Sequence, residues 1–173
     1  MTALLLSSAL AATLAAADAG MPHDRTAGAQ RSDAPALGFS LGHVGIFDDI
    51  GEPLIASAEY RFSDVTDWQL VPAAGISAAE NGAYFVYADL HYEVRLGEHW
   101  ILSPSFGVGR FGGSDEIDLG HLVEFRSGLE IRWQFDNGYS LGLALHHFSN
   151  GGISERNPGI EELALTLHVP LGN

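Results

Sequence analysis

The stretch Leu122–Phe135, LVEFRSGLEIRWQF, alternates without a slip. From Val123, every second residue gives Val123, Phe125, Ser127, Leu129, Ile131, Trp133 and Phe135. The residues between them are Leu122, Glu124, Arg126, Gly128, Glu130, Arg132 and Gln134. Side chains two apart in a β-strand share a face. One face is therefore almost wholly apolar, and the other alternates carboxylate with guanidinium.

The same grammar recurs along the chain. Tyr84, Val86, Ala88, Leu90, Tyr92, Val94 and Leu96 oppose Phe85, Tyr87, Asp89, His91, Glu93 and Arg95. Leu54, Ala56, Ala58, Tyr60 and Phe62 oppose Ile55, Ser57, Glu59 and Arg61. From Leu37 onward no segment carries a helical period. Eight strand-like runs are read instead, at 37–47, 53–62, 68–77, 83–96, 99–111, 121–135, 139–149 and 161–171. Each is long enough to cross a bilayer as a tilted strand. Turn signals such as Asp136-Asn137-Gly138 and Gly97-Glu98 separate them.

A soluble β-sandwich also alternates, but its polar face meets water. A small membrane barrel turns its apolar face to lipid and its polar face inward. Glu and Arg at near-matching heights suit paired charges in a narrow lumen. Aromatic residues gather near run ends (Tyr60, Phe62, Trp68, Tyr84, Trp100, Trp133, Phe135 and Tyr139), as in interfacial girdles. The number of runs is even. The expected fold is all-β: a closed, eight-stranded antiparallel transmembrane β-barrel, its interior filled by side chains rather than open as a pore.

Composition narrows the function. The 173 residues carry 22 acidic groups against 8 arginines, with no lysine, for a formal charge of -14. Such a chain cannot neutralise a run of phosphates, which excludes nucleic acid. No cysteine is present, which excludes disulfides and thiol chemistry. Residues 1–19 are apolar and end in small residues, as a secretory signal peptide does, though without a basic start. Residues 20–36 are a polar, Gly/Pro/Ala-rich lead-in, and 37–173 form the barrel domain.

Connections 63–67, 97–98 and 136–138 form the short set and 78–82, 112–120 and 150–160 the longer one, although 63–67 and 78–82 are equal in length. Connection 48–52 is short and stands out from that pattern. Long loops face the exterior, so the seventh run rises outward. It reads LGLALHHFSN from Leu141 to Asn150. Its lipid-side parity runs Leu141, Leu143, Leu145, His147, Ser149. The eighth run has lipid-side Leu163, Leu165, Leu167, Val169 and Leu171, and extending that parity backward reaches Glu161. Antiparallel pairing brings Glu161 near His147. Serine needs an adjacent base to become a nucleophile at neutral pH. Histidine can take and return that proton, and a carboxylate fixes its tautomer. The segments SNGG and RNPG offer backbone N–H groups and asparagine amides beside the serine for an oxyanion. His146 and His168 have inward parity. His43 has lipid-side parity without an evident hydroxyl or carboxylate partner.

The segment HHFSNGGISERNPGIEEL, His146–Leu163, resembles the active-site signature of the PagL-type lipid A 3-O-deacylases, outer-membrane enzymes of Gram-negative bacteria. The pattern His-x-Ser-Asn, a Gly-containing loop with Asn, and a Glu twelve residues after the serine falls on His147, Ser149, Asn150, Gly152, Asn157 and Glu161. The resemblance covers about 37–173 in layout and the last two runs in detail. It implies hydrolysis of the ester-linked acyl chain at the 3-position of lipid A in the outer leaflet, with no cofactor and no metal. It implies Ser149 as nucleophile, His147 as base and acid, and Glu161 as orienting carboxylate. Gly152 N–H and the Asn157 side chain are the expected oxyanion donors, with Asn150 in support or holding the loop. Arg110 and Arg156 are the expected phosphate contacts. Lipid A is the expected partner, and a second copy of the chain is a candidate one. Three other readings compete: a non-enzymatic barrel for adhesion or anchoring, a lipid acyltransferase, and a soluble lipocalin-like barrel. The C-terminal HVPLGN, with Pro170 in the last run, departs from the aromatic ending common in such barrels.

Overall fold

A computed structural model describes residues 34–47, 52–63 and 69–172; residues 1–33, which include the expected signal peptide, and Trp68 lie outside the described residues. Nine strand segments follow in order: β1 (Ala36–Val44), β2 (Leu54–Arg61), β3 (Leu70–Ala79), β4 (Tyr84–Tyr92), β5 (Val94–Leu96), β6 (Trp100–Gly112), β7 (Val123–Gln134), β8 (Ser140–Ser149) and β9 (Ile160–Pro170). Among the described residues there is no helix.

Segments β4 and β5 are two parts of one crossing. Both keep a single register on β6, with His91 opposite Ser105 and Val94 opposite Leu102. Continuing that register puts Tyr92 opposite Pro104, which has no N–H to donate to a ladder. The run read as continuous over 83–96 is therefore one strand with a break at Glu93. Eight crossings remain. All neighbours are antiparallel, and β1 closes on β9 from Ala36↔Pro170 to Val44↔Glu162. Closure leaves no unpaired edge, as hydrocarbon requires. Pro170 ends the last strand, where a missing donor costs least.

The side chains are inside out relative to a water-soluble protein. Leu165 is 69% exposed, Leu41 54%, and Ile76 and Phe106 51% each. Glu59, Arg126, Glu130 and Glu162 are buried. Only a lipid-facing wall makes this arrangement favourable. The lumen holds a continuous charge network. Arg61 donates to Glu59 (2.8 Å) and to Glu130 (3.0 Å). Arg132 donates to Glu93 (2.5 Å) and Glu130 (3.2 Å). Arg126 pairs with Asp89 and lies 4.3 Å over the ring of Tyr87. Gly107, opposite Asp89, leaves room for that carboxylate; a Cβ there would strike it.

Toward the loop end the lumen turns apolar. Val44, Ile55, Phe85, Phe111, Phe148 and Ile160 pack with Ile117 and Leu119, which fold inward from the β6–β7 connection. Polar network and apolar plug together fill the barrel. The connections at this end are 45–53, 80–83, 113–122 and 150–159; those at the other are 62–69, 97–99 and 135–139. The β1–β2 connection, expected to be short at 48–52, spans 45–53, because β1 ends at Val44 rather than running to residue 47; length alone does not sort the two ends, since 62–69 is longer than 80–83.

Candidate active site

Strand β8 carries the decisive residues at its loop end. His146 and Phe148 point inward and are buried; His147 and Ser149 are half-buried on the outer wall. His146 joins the lumen network, 3.4 Å from Glu162. His168 does the same, 2.7 Å from Glu130. His43 is exposed on the wall and donates to the Glu52 carbonyl at 2.7 Å.

In the β8–β9 ladder His147 stands opposite Glu161. The imidazole Nδ1 lies 3.0 Å from Glu161 Oε1. A carboxylate accepts, so Nδ1 carries the proton and Nε2 holds the lone pair. That Nε2 is buried and has no hydrogen-bond partner among the described residues. Ser149 lies two residues along the same face. The Ser149 hydroxyl makes no hydrogen bond to Nε2 in this arrangement; an imidazole oriented by a carboxylate can activate a hydroxyl on the same face once the two come into hydrogen-bond contact.

Gly159 follows from the same register. It precedes β9 and falls opposite Ser149, with φ of 72°. A Cβ on it would come 2.9 Å from His147 Cε1. Only a residue without a side chain lets the loop backbone pass this close to the imidazole ring.

The β8–β9 loop is organised by Asn150. Residues Asn150–Ile153 make a tight turn, Ile153 N–H to Asn150 O at 3.2 Å, with positive φ at both Gly151 and Gly152. Asn150 is fully buried. Its Nδ2 donates to Leu119 O (3.0 Å) and Arg156 O (2.8 Å), and its Oδ1 accepts the Gly152 N–H (3.0 Å). Its own N–H is bound by Asn157 Oδ1 at 2.9 Å. Asn150 therefore holds the loop. The Gly152 N–H, expected to face an oxyanion, is turned into the Asn150 side chain. Asn157 keeps its amide nitrogen available beside the Ser149–Asn150 peptide. Replacing Asn150 with Ala removes the Leu119 carbonyl's side-chain donor at a buried position, a loss of about 1–3 kcal/mol, whereas the Arg156 carbonyl keeps Ser154 Oγ and the Gly152 N–H is exposed. We expect faster proteolysis and hydrogen exchange confined to residues 113–122 and 150–159, with the barrel melt nearly unchanged.

The two arginines differ. Arg156 donates to Asp118 at 2.5 Å, tying the β8–β9 loop to the β6–β7 loop. The Gly120 N–H and the Arg156 guanidinium hold the Asp118 carboxyl below the usual aspartate range. Arg156, expected as a phosphate contact, is paired with Asp118 at the exposed surface of the loops. Arg110, near the loop end of β6, is exposed and shares the outward parity of Phe106 and Val108.

Sequence reasoning passed over Ser127, although it was legible as a hydroxyl within the apolar face of the sixth run. In the β7–β8 ladder Ser127 stands opposite His147. It also passed over Gly159, for which the positive φ is a property of the folded loop alone.

Comparison with known proteins places this arrangement. The lipid A deacylase PagL of Pseudomonas aeruginosa is 31% identical over 72 residues, covering 40% of this chain and 42% of the relative. The alignment thus spans less than half the length of that curated relative. The crystal structure of the outer membrane enzyme PagL matches with a TM-score of 0.64 at 21% identity, over 79% of this chain and 99% of that one. Neisserial surface protein A matches with a TM-score of 0.58 at 11% identity, over 79% and 97%. At these identities the structural matches speak for the barrel fold alone. The family model for lipid A 3-O-deacylase (PagL) matches residues 54–170, the greater part of the chain and all of strands β7 to β9, so the chain belongs to that family.

Proposed function

We propose that this chain hydrolyses the ester-linked acyl group at the 3-position of lipid A through Ser149, His147 and Glu161. One observation carries the proposal: in a member of this family, an imidazole 3.0 Å from a carboxylate sits on the lipid-facing wall, two residues from a serine on the same strand face. A carboxylate and an imidazole on that face are costly unless they are used. The substrate is itself a lipid of the outer leaflet, so it reaches the wall by lateral diffusion.

In this mechanism His147 Nε2 takes the Ser149 hydroxyl proton as Oγ attacks the ester carbonyl. Glu161 stabilises the imidazolium. The tetrahedral oxyanion collapses and expels the sugar oxygen, which takes the proton back from His147. An acyl-enzyme on Ser149 remains, and water hydrolyses it to free fatty acid by the reverse relay. The Asn157 amide is the leading oxyanion donor. Gly152 N–H would join only by leaving Asn150 Oδ1. Arg110, at the rim, is the residue to meet a lipid phosphate.

The test is mass spectrometry of lipid A after incubation with the refolded full chain in detergent. Loss of one ester-linked acyl group with release of free fatty acid is expected. Unchanged lipid A with a folded barrel would overturn it, and transfer of the chain to another lipid would mark an acyltransferase. Glu161→Gln keeps the shape and removes the charge that orients His147. We expect kcat to fall about 10²–10⁴-fold, by analogy with loss of the orienting carboxylate in serine hydrolases.

A further inference from the structure

Any hydrolysis on this wall has a difficulty. Water must be held on a surface built to face hydrocarbon. An ordered water needs two to four polar partners. The outward neighbours of His147 follow from the ladders: Leu145 and Ser149 on β8; Phe125, Ser127 and Leu129 on β7; Gly159, Glu161 and Leu163 toward β9. Only three of these have polar side chains. In the acyl-enzyme Ser149 is esterified, and Glu161 is occupied with Nδ1. Ser127 is the polar side chain that remains. It lies directly across from His147, on the flank opposite Glu161, with Phe125 and Leu129 as its own outward neighbours on β7. Directly paired residues of adjacent strands have Cβ atoms about 4.5–5.5 Å apart, so the Ser127 and His147 side chains leave the sheet side by side.

Resting on the Ser149 nucleophile proposed above, we propose that Ser127 is a positioning residue for the hydrolytic water, acting with His147 Nε2. The water donates one proton to Nε2 and the other to Ser127 Oγ. Its oxygen attacks the Ser149 ester carbonyl. The bond from Ser149 Oγ to the acyl carbon breaks, and the proton held on Nε2 passes to Ser149 Oγ. Fatty acid leaves, and no further reactant is consumed.

Such a role acts on the second half-reaction and leaves the first alone. Slowing deacylation lowers kcat and KM together and preserves kcat/KM. For Ser127→Ala on lipid A in mixed micelles, kcat is expected to fall about tenfold or more with kcat/KM within about twofold. Intact-protein mass spectrometry should show an acyl adduct that is lost in Ser149→Ala. Hydroxylamine, which needs no such placement, should restore turnover. Ser127→Thr, which keeps the hydroxyl, should stay near wild type and accumulate no adduct. A fall in kcat/KM without adduct, or wild-type kinetics in Ser127→Ala, would overturn the water-positioning role while leaving Ser149 as nucleophile. Activity surviving in Ser149→Ala but lost in Ser127→Ala would overturn both and make Ser127 the nucleophile.

Discussion

Ser149→Ala is expected to lower lipid A deacylation by about 10⁴-fold or more, the scale seen when a serine hydrolase loses its nucleophile. The barrel should be untouched. Ser149 is half-buried on the outer wall at the end of β8, and its hydroxyl contributes nothing to the lumen network. The ladder partner of Ser149 is Phe125, which an alanine accommodates without a new contact. Heat-modifiable migration, a sign of a closed barrel, should therefore match wild type while free fatty acid release disappears. Residual activity near wild type would remove Ser149 from the mechanism. His147→Ala should fall as far, because the three residues act as a unit and their losses do not add. The double variant should then be no worse than either single one.

Much of this was legible in the chain because a strand has a period of two. Once Val123–Phe135 is read as strand, parity alone separates Glu130 and Arg132 from Leu129 and Ile131. The same parity places His147, Ser149 and Glu161 outside and His146 and His168 inside. Register was not legible, because the long 150–160 connection leaves the hairpin free to slip; the pairing His147↔Glu161 is seen in the folded ladder. Loop chemistry was not legible. Nothing in SNGG announces that Asn150 turns inward to bind Leu119 O, since Leu119 is 31 residues away in another loop. The same holds for Arg156, whose partner Asp118 lies in that second loop. The apolar plug was hidden as well, because Ile117 and Leu119 lie between strands and obey no strand parity.

The second large effect concerns the lumen. Glu130 is the most connected carboxylate there: it accepts from Arg61 (3.0 Å), Arg132 (3.2 Å), Thr166 (2.5 Å) and His168 (2.7 Å). Removing one partner of a buried ion pair strands the others, at a cost of about 3–5 kcal/mol. Glu130→Ala should therefore lower unfolding free energy by about that amount in urea titrations of the refolded barrel in vesicles. Glu124 provides the contrast. It is equally buried on the same face of β7, yet neither carboxylate oxygen has a hydrogen-bond partner among the described residues. Glu124→Gln removes a carboxylate without stranding an arginine, so it should be neutral or stabilising. If both substitutions cost the same, burial rather than pairing governs lumen stability, and the charge network is incidental. If Glu130→Ala unfolds easily yet its folded fraction keeps wild-type kcat, the division of labour is plain. In that outcome the lumen holds the wall in shape and the proposed chemistry belongs to the outside.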